Sequence, residues 1–418
     1  MSLAKSQQPG ETIVNTLPGK VNPVSPPLKH PAADPTGKEP SPRSPSDLQV
    51  RVYEALDELP PSCLRLFEEA GRQDFFLTQP WFRNFAGRAL DGGCCLRIYG
   101  IGSKDHPGQA AGMFLARTSP LSRKLSALTN YYSSFFAPHL TGSREQREAA
   151  LQALAQAISA ERPRWDTIDI QPLDLNSDAF STLVAAFRSS GFVVQTFFRF
   201  GNWYLPVNRR SFAEYMESLP SVLRSTLSRK RKKLEKSGRA TIQIITGGEG
   251  LEAAIADYTK VHLGSWKVPE PYPEFIPGLI RMSSVMGALR LGLIHVDGEP
   301  AAAQIWIVHH GSALMFKLAY DERFADLSVG TILTAVLMQH VLDIDKVELV
   351  DYLSGDDAYK HDWMSHRRER WGILAMNPRT PRGAMAIIRH RGGHTMKRAV
   401  LALSSRLRPG NGEAKSLR

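Results

Sequence analysis

The chain is poor in cysteine and has no long apolar run. Its 418 residues include three cysteines, Cys63 and the adjacent Cys94 and Cys95. Three thiols at that spacing do not make a disulfide framework or a zinc site, and they read as incidental thiols in a reducing compartment. Nowhere do about 18 apolar residues follow one another, and the first residues lack the cationic stretch and apolar core of a signal peptide. The expected location is the cytoplasm. His309 and His310 close an apolar run with no third ligand at helical or strand spacing, so no catalytic metal is expected. Zinc-finger, RNP and helix-turn-helix patterns are missing as well, and DNA is not an expected partner.

Acidic residues are in deficit. Lys and Arg number 52 against 41 Asp and Glu, a formal charge of +11. The excess favours anionic partners without choosing among nucleotide, nucleic acid and membrane surface. The length suffices for two ordinary domains and a sizeable core. Residues 1–46 hold ten of the 28 prolines and few large apolar side chains, too little to offset the entropy of ordering, so a disordered tail is expected there. Residues 379–418 carry ten Lys or Arg and a single acid, Glu413. This tail is expected to fray, with peripheral contact on an anionic membrane as the alternative, although Gly392 and Gly393 interrupt any long helix.

What lies between the tails is mixed α/β. From 47 to 200, strand-like runs (CCLRIYG, AAGMFLAR, DTIDIQPL, GFVVQTFFRF) alternate with helical stretches beginning at Arg144 and Ser177, the second closed by Gly191. From 201 to 378 the order is similar: the strand NWYLPV, helices SFAEYMESLP and SVLRSTLSRKRKKLEKSG, the strand TIQIIT, and the helix LEAAIADYTKVHLGSWK. Strands Ala288 to Val296 and Ala301 to His310 follow, around the hairpin dipeptide Asp297-Gly298. A strand ending at Tyr320, a helix from Thr331, the strand KVELVDYL and a closing strand from Arg368 to Met376 complete the order. The expectation is two related domains, 47–200 and 201–378. A helix opening at Ser328, Val329, Gly330 and Thr331, directly after the loop that leaves a strand, can turn free backbone N–H groups toward a phosphate.

Three stretches carry a family resemblance: Leu223 to Gly238, Leu318 to Val341, and Val350 to Gly372. The third is the most specific, with Asp351 at a strand end, then Gly355-Asp356, then Tyr359-Lys360. The order of elements and these motifs resemble the GNAT acyltransferases, more specifically the FemAB-related branch and the CelD-like acetyltransferases named after cellulose biosynthesis. The resemblance implies an α/β (α+β) fold of tandem GNAT-like domains, each a mixed, mainly antiparallel sheet flanked by helices. It also implies transfer of an acyl group, with acyl-CoA (acetyl-CoA) as co-substrate. The implied acceptor is a small molecule, an amine or hydroxyl of a sugar, amino acid, envelope or exopolysaccharide precursor. Aminoacyl-tRNA or an acyl carrier protein is the alternative donor; a basic nucleic-acid-binding protein is the non-enzymatic alternative. One departure is plain: the GNAT turn has a basic residue or Gln before a glycine-rich loop, whereas this chain has Leu327-Ser328-Val329-Gly330.

Acyl transfer needs alignment, a deprotonated acceptor and fixed donors for the oxyanion. The implied oxyanion donors are the amides of Lys317, Leu318 and Ala319, and the implied pyrophosphate turn is Ser328 to Thr331. Candidate bases are Asp351, Asp356 and Glu348, with bracing and capping roles for the two aspartates as the alternative. Tyr359 and Trp363 share a helical face, and Lys360 can hold a ligand anion as a point charge. Arg224, Arg229 and Lys230 belong to a stretch from Arg224 to Arg239 that holds eight cations and one acid, Glu235. That stretch attracts an anionic acceptor, a CoA 3′-phosphate or RNA, or is a solvated face. Gln304 and Trp266, the latter four residues after His262, are the remaining acceptor-side candidates.

Overall fold

The thirteen strands of the described residues join in one sheet. The structure, a computed structural model, describes residues 45–106, 108–119 and 122–390. Almost all of the expected proline-rich tail, and the basic tail beyond residue 390 with Gly392 and Gly393, lie outside the described residues; residues 381–390 are helical.

In chain order, β1 (Leu48–Tyr53) leads to helices α1 (Pro61–Gln73) and α2 (Gln79–Arg88), then to the meander β2 (Cys95–Ser103), β3 (Ala110–Ser119) and β4 (Ser122–Ala127). The short β5 (His139–Leu140), helix α3 (Arg144–Ala160), β6 (Thr167–Asp174), α4 (Asp178–Ser189) and β7 (Val193–Pro206) complete the first half. After α5 (Phe212–Ser218) and α6 (Ser221–Ser237) the plan recurs: β8 (Ala240–Ile245), α7 (Leu251–Leu263), α8 (Phe275–Val285), then the meander β9 (Leu289–Val296), β10 (Glu299–His309) and β11 (Ser312–Tyr320). Helix α9 (Val329–Asp343), β12 (Leu349–Ser354), α10 (Ala358–Trp363) and β13 (His366–Met376) follow. The result is the expected tandem GNAT-like plan, a mixed sheet with flanking helices.

The strand order is β1-β2-β3-β4-β6-β13-β7-β12-β11-β10-β9-β8, with β5 beside β3. Two pairs within it are parallel, β4 with β6 and β11 with β12, and each needs a crossover helix, α3 and α9 respectively. The halves exchange their last strands. β13 pairs with β6 on one side and β7 on the other, while β7 pairs with β12. Residue 200, the expected domain boundary, lies inside β7, so the two short strands read on either side of it are one strand of 14 residues. Gly201 within it is no turn; a Cβ there would sit 2.1 Å from the Asp356 carboxylate, so glycine lets that side chain approach the strand.

Local chemistry explains several boundaries. Asp297 and Gly298 adopt φ of 53° and 81°, the pair of positive angles that a two-residue hairpin needs. Gly238, at φ 65°, closes α6. β9 and β10 are buried over most of their length, as central strands covered on both faces are. One core runs through both halves, from Phe82 and Phe114 to Leu291, Ile305 and Ile373; a second, with Trp306, Leu333 and Tyr352, fills the space under α9. Beginning the helix α7 at Leu251 matches the sequence, but it stops at Leu263 and Gly264, so Trp266 and Lys267 leave the helix that was expected to carry them.

Ile373 is fully buried where β13 lies between Ile170 of β6 and Thr196 of β7. Ile373→Ala is expected to cost about 2–5 kcal/mol. Because that strand is shared, urea unfolding followed by far-UV and tryptophan signals should show one transition displaced as a unit.

Candidate functional site

β11 and β12 are paired only from Ser312↔Leu349 to Leu314↔Asp351. Beyond that point β11 stays with β10 as far as Tyr320, whereas β12 turns away, its register against β7 shifting between Asp351 and Ser354. The turn is made by Leu353, whose φ of 54° is a costly angle for a branched residue. A buried polar clasp holds it. The Asp351 carboxylate accepts from the Leu353 amide at 2.7 Å and from Asn202 Nδ2 at 2.6 Å, and pairs with the Arg368 guanidinium. Asn202 Nδ2 also donates to the Leu353 carbonyl at 2.9 Å, and Arg368 Nε to Asn202 Oδ1 at 2.6 Å. From the other side Lys360 Nζ donates to the carbonyls of Tyr352 (3.0 Å) and Ser354.

The gap so opened is a cleft of about 210 Å³. One wall is β11 at Phe316, Lys317 and Leu318, the facing wall Leu353, Ser354, Tyr359 and Lys360. The first half of the chain supplies a third wall, Tyr131, Tyr132 and Ser134, and Lys267 closes the rim. A larger groove of about 580 Å³ adjoins it, sharing Tyr131 and Ser354.

Charge in the cleft is concentrated on three lysines. Lys317 Nζ donates to Glu270 Oε1 at 2.8 Å and lies 5.1 Å from the Tyr132 ring centroid. Glu270 Oε2 accepts from Tyr132 at 2.7 Å and from Tyr131. Burial pushes the Glu270 carboxyl up, but the Lys317 ammonium and the two phenols outweigh it and hold it below its ordinary value. Burial also lowers Lys360, against the pull of Asp357 at 3.5 Å. In Lys267, burial and then the Lys317 charge bring the amine down to about 8. Behind Glu270, burial keeps His262 below its usual value, so the ring is neutral at pH 7, with its Nε2 3.8 Å from Glu270 Oε1.

The two crossover helices begin differently. α3 seals its first turn with a capping box: Ser143 Oγ accepts from the Gln146 amide and Gln146 Oε1 from the Ser143 amide. α9 begins at Ser328 in a left-handed conformation, φ 55°, with no side-chain cap, so its leading N–H groups are not taken up by a cap. Gly330 there stands against Tyr320, whose ring would be 3.0 Å from an added Cβ. The turn and the cleft lie at the same edge of the sheet, since α9 follows the end of β11 and the Tyr359-Lys360 corner follows the end of β12. Trp266 packs on Tyr320 at 4.6 Å and its neighbour Lys267 lines the cleft.

Of the residues proposed from the sequence, Lys317, Leu318, Tyr359 and Lys360 line the cleft. Ala319 follows on β11, and Ser328, Val329, Gly330 and Thr331 form the start of α9. Asp351 is buried in the clasp with both oxygens engaged, an arrangement for bracing. It braces Asn202 and Arg368, and the Lys360 contacts go to carbonyls. Asp356 accepts from Arg367 at 2.8 and 2.7 Å and from Trp203 Nε1 at 3.1 Å. The Arg367 hydrogen bond holds its carboxyl below the usual range, the opposite of what a base needs. The helix N-cap at that corner is Asp357. Glu348 lies just before β12, under the Gly311 turn.

Two acceptor-side candidates are core. Gln304 is fully buried; its Nε2 donates to the Gly330 carbonyl at 2.9 Å and to Thr334 Oγ1 at 2.8 Å, and its Oε1 accepts from Trp306 at 2.9 Å. It ties α9 to the sheet. Trp363 is buried in the second core, its carbonyl accepting from Tyr215. Trp266 is half exposed at the rim. Arg224 and Arg229 are exposed on α6, while Lys230 Nζ reaches the Asp326 carbonyl at 2.6 Å, two residues before Ser328.

Sequence reading missed Tyr131, Tyr132, Lys267 and Glu270. The tyrosines stand in a loop of the other half, more than a hundred residues from the rest, and nothing in the local pattern joins them. The dipeptide Trp266-Lys267 and the proline-flanked Glu270 were visible as composition, but their roles depend on α7 ending early. Among the described residues no group of three or more His, Cys, Asp or Glu is placed to hold a metal ion, and no helix is long and apolar enough to cross a membrane.

Residues 221–361 match the model of the acetyltransferase (GNAT) domain. No curated protein matches the chain. Among solved structures it is similar to FemX, at 12% identity and a TM-score of 0.52 over 78% of this chain and 96% of that one. A conserved protein of unknown function from Bacteroides thetaiotaomicron gives 9% identity and a TM-score of 0.52 over 79% and 100%. A tandem GNAT protein from the clavulanic acid biosynthesis pathway gives 14% and 0.49 over 80% and 100%.

Removing the clasp's carboxylate leaves Arg368 and Asn202 without their buried partner. Asp351→Ala should therefore destabilise the fold by about 3–5 kcal/mol, read by chemical denaturation, and its loss of activity should follow that loss of fold.

Proposed function

We propose that this chain, whose residues 221–361 match the acetyltransferase (GNAT) domain, is an acyltransferase that moves an acyl group, acetyl in the simplest case, from acyl-CoA to an amine of a small acceptor. The observation that carries this reading is the uncapped, left-handed start of α9 at the edge of the sheet where β11 and β12 part. The amides of Gly330 and Thr331 and the positive end of the helix hold the donor's pyrophosphate. The amides of β11 from Lys317 to Ala319 meet the carbonyl oxygen as negative charge develops on it. Tyr359, its phenol pushed up by burial, stays protonated and donates a hydrogen bond toward the departing sulfur. The first half carries no second donor site in this reading, since the capping box occupies the start of α3; it contributes Tyr131, Tyr132 and the adjoining groove on the acceptor side.

The acceptor class is read from that groove. Its lining of Ser126, Thr129, Asn130 and Gln171, with Arg199 and the ring of Tyr131, suits a hydroxylated amine, an amino sugar or an envelope or exopolysaccharide precursor, more than an apolar one. A hydroxyl acceptor would use the same walls.

A second reading of the donor has its own observation. One cation of α6, Lys230, reaches the Asp326 carbonyl two residues before the donor turn, and Arg224 and Arg229 stand exposed on the same helix. They suit the 3′-phosphate of CoA and equally the larger anionic surface of an aminoacyl-tRNA or an acyl carrier protein.

The test is thermal. CoA and acetyl-CoA should raise the melting temperature of the full chain, and Gly330→Pro, which removes one amide and presses on Tyr320, should reduce that rise by more than half while unfolding cooperatively. Absence of any shift with CoA thioesters, together with salt-sensitive binding of aminoacyl-tRNA, would move the assignment to the second donor.

A further inference from the structure

We propose that Lys267 is the proton carrier of the transfer, taking the proton from the acceptor nitrogen and returning it to the leaving sulfur; this rests on the reading above. The geometry comes first. Lys267 lines the cleft, four residues beyond the end of α7 at Leu263. Its neighbours in the cleft are otherwise committed. Lys317 of β11 is bonded to Glu270, and Lys360 of α10 is bonded to two carbonyls. The tyrosines of the first half, Tyr131 and Tyr132, are turned to the same carboxylate. Lys267 instead lies 5.7 Å from the Trp266 ring centroid, and no carboxylate lies within 4.0 Å of its amine among the described ion pairs.

The charged groups around it are divided, and burial decides the direction. Lys317 and Lys360 disfavour the ammonium, Glu270 and Asp357 favour it, and burial, the largest influence, disfavours it. Tyr359 is uncharged, its phenol raised by burial, and His262 behind Glu270 is neutral. The resulting value near 8 is close to that of a free thiol, about 8.5. A carrier matched to the sulfur accepts the proton without trapping it. The balance is complete within the reaction: the acceptor nitrogen forms the C–N bond, the C–S bond breaks with its electron pair on sulfur, the nitrogen's proton goes to Lys267 Nζ, and Lys267 passes it to the thiolate. The products are the amide, free CoA and the original neutral lysine. None of the sequence patterns pointed to this residue, and the two aspartates expected in the role are engaged elsewhere.

The active form is the neutral amine, so the rate should rise with pH and level off above about 8. The experiment uses the full chain, acetyl-CoA and a pool of amino sugars and amino acids, with thiol release as readout. Lys267→Ala is expected to lower kcat about 10²–10⁴-fold, to lose the break in the pH profile, and to keep the thermal shift with CoA. Trimethylamine, which carries protons but cannot be acylated, should restore part of the rate in Lys267→Ala and none in the native chain. A variant that retains the break, or that trimethylamine does not rescue although CoA still stabilises it, would overturn the role of Lys267 alone. Loss of CoA stabilisation in the native chain would instead overturn the donor assignment. The lysine can be read without turnover: pH-dependent labelling by an amine-reactive reagent, followed by mass spectrometry, should place its midpoint near 8, and a midpoint above about 10, the ordinary lysine value, refutes the proposal.

Discussion

The clasp on Asp351 is the constraint from which the rest of the site follows. Two parallel strands would ordinarily continue side by side, each amide taken by its neighbour. Here β12 leaves β11 after three paired positions, and a branched residue at a left-handed angle must be held against its preference. Asn202 and Arg368 do this, and they come from β7 and β13, strands that sit opposite one another at those two residues. The exchange of terminal strands between the halves thus has a local purpose. It delivers two polar side chains to the point where the sheet opens, and those side chains hold β12 away from β11 there.

Opening the sheet exposes main-chain groups of β11 to a cleft whose charged side chains are dominated by lysine. Two of these amines have a close carboxylate, Lys317 in Glu270 and Lys360 in Asp357, and Lys267 has none within 4.0 Å among the described ion pairs. The Glu270 carboxylate also binds the two tyrosines of the first half. Glu270 therefore joins the halves across the cleft as well as neutralising Lys317. A residue of this kind is neither purely structural nor chemical; its loss would disturb the wall and the electrostatics together.

Much of the fold was legible in the sequence. The hairpin at Asp297-Gly298, the strand ending at Tyr320, the apolar crossover helix after it, and the cap at Gly191 were set by local chemistry, and each was found where its pattern put it. The elements left unread are β1, β4, β5, α1, α2 and α8; the three strands are short, so period alone does not mark them, whereas α1 buries one face at helical spacing and carried a legible signal. The boundary drawn at residue 200 cut one strand in two, since the pairing of β7 with β12 and β13 that makes it continuous is not a property of the local sequence. For the site, Lys360 and Tyr359 were legible as a motif. Gln304 and Trp363 were not, since a polar or aromatic side chain in an apolar run reads the same whether it faces a ligand or the core.

By itself the sequence determined the tandem mixed α/β plan and the resemblance that points to acyl transfer, because periodicity, turn residues and local motifs are properties of short stretches. Tertiary structure alone decided which carboxylates are braced and which lysine is left without one, and that a loop near residue 131 walls a cleft near residue 317. These depend on strand exchange and on where burial removes water, and both arise from contacts between residues far apart in the chain.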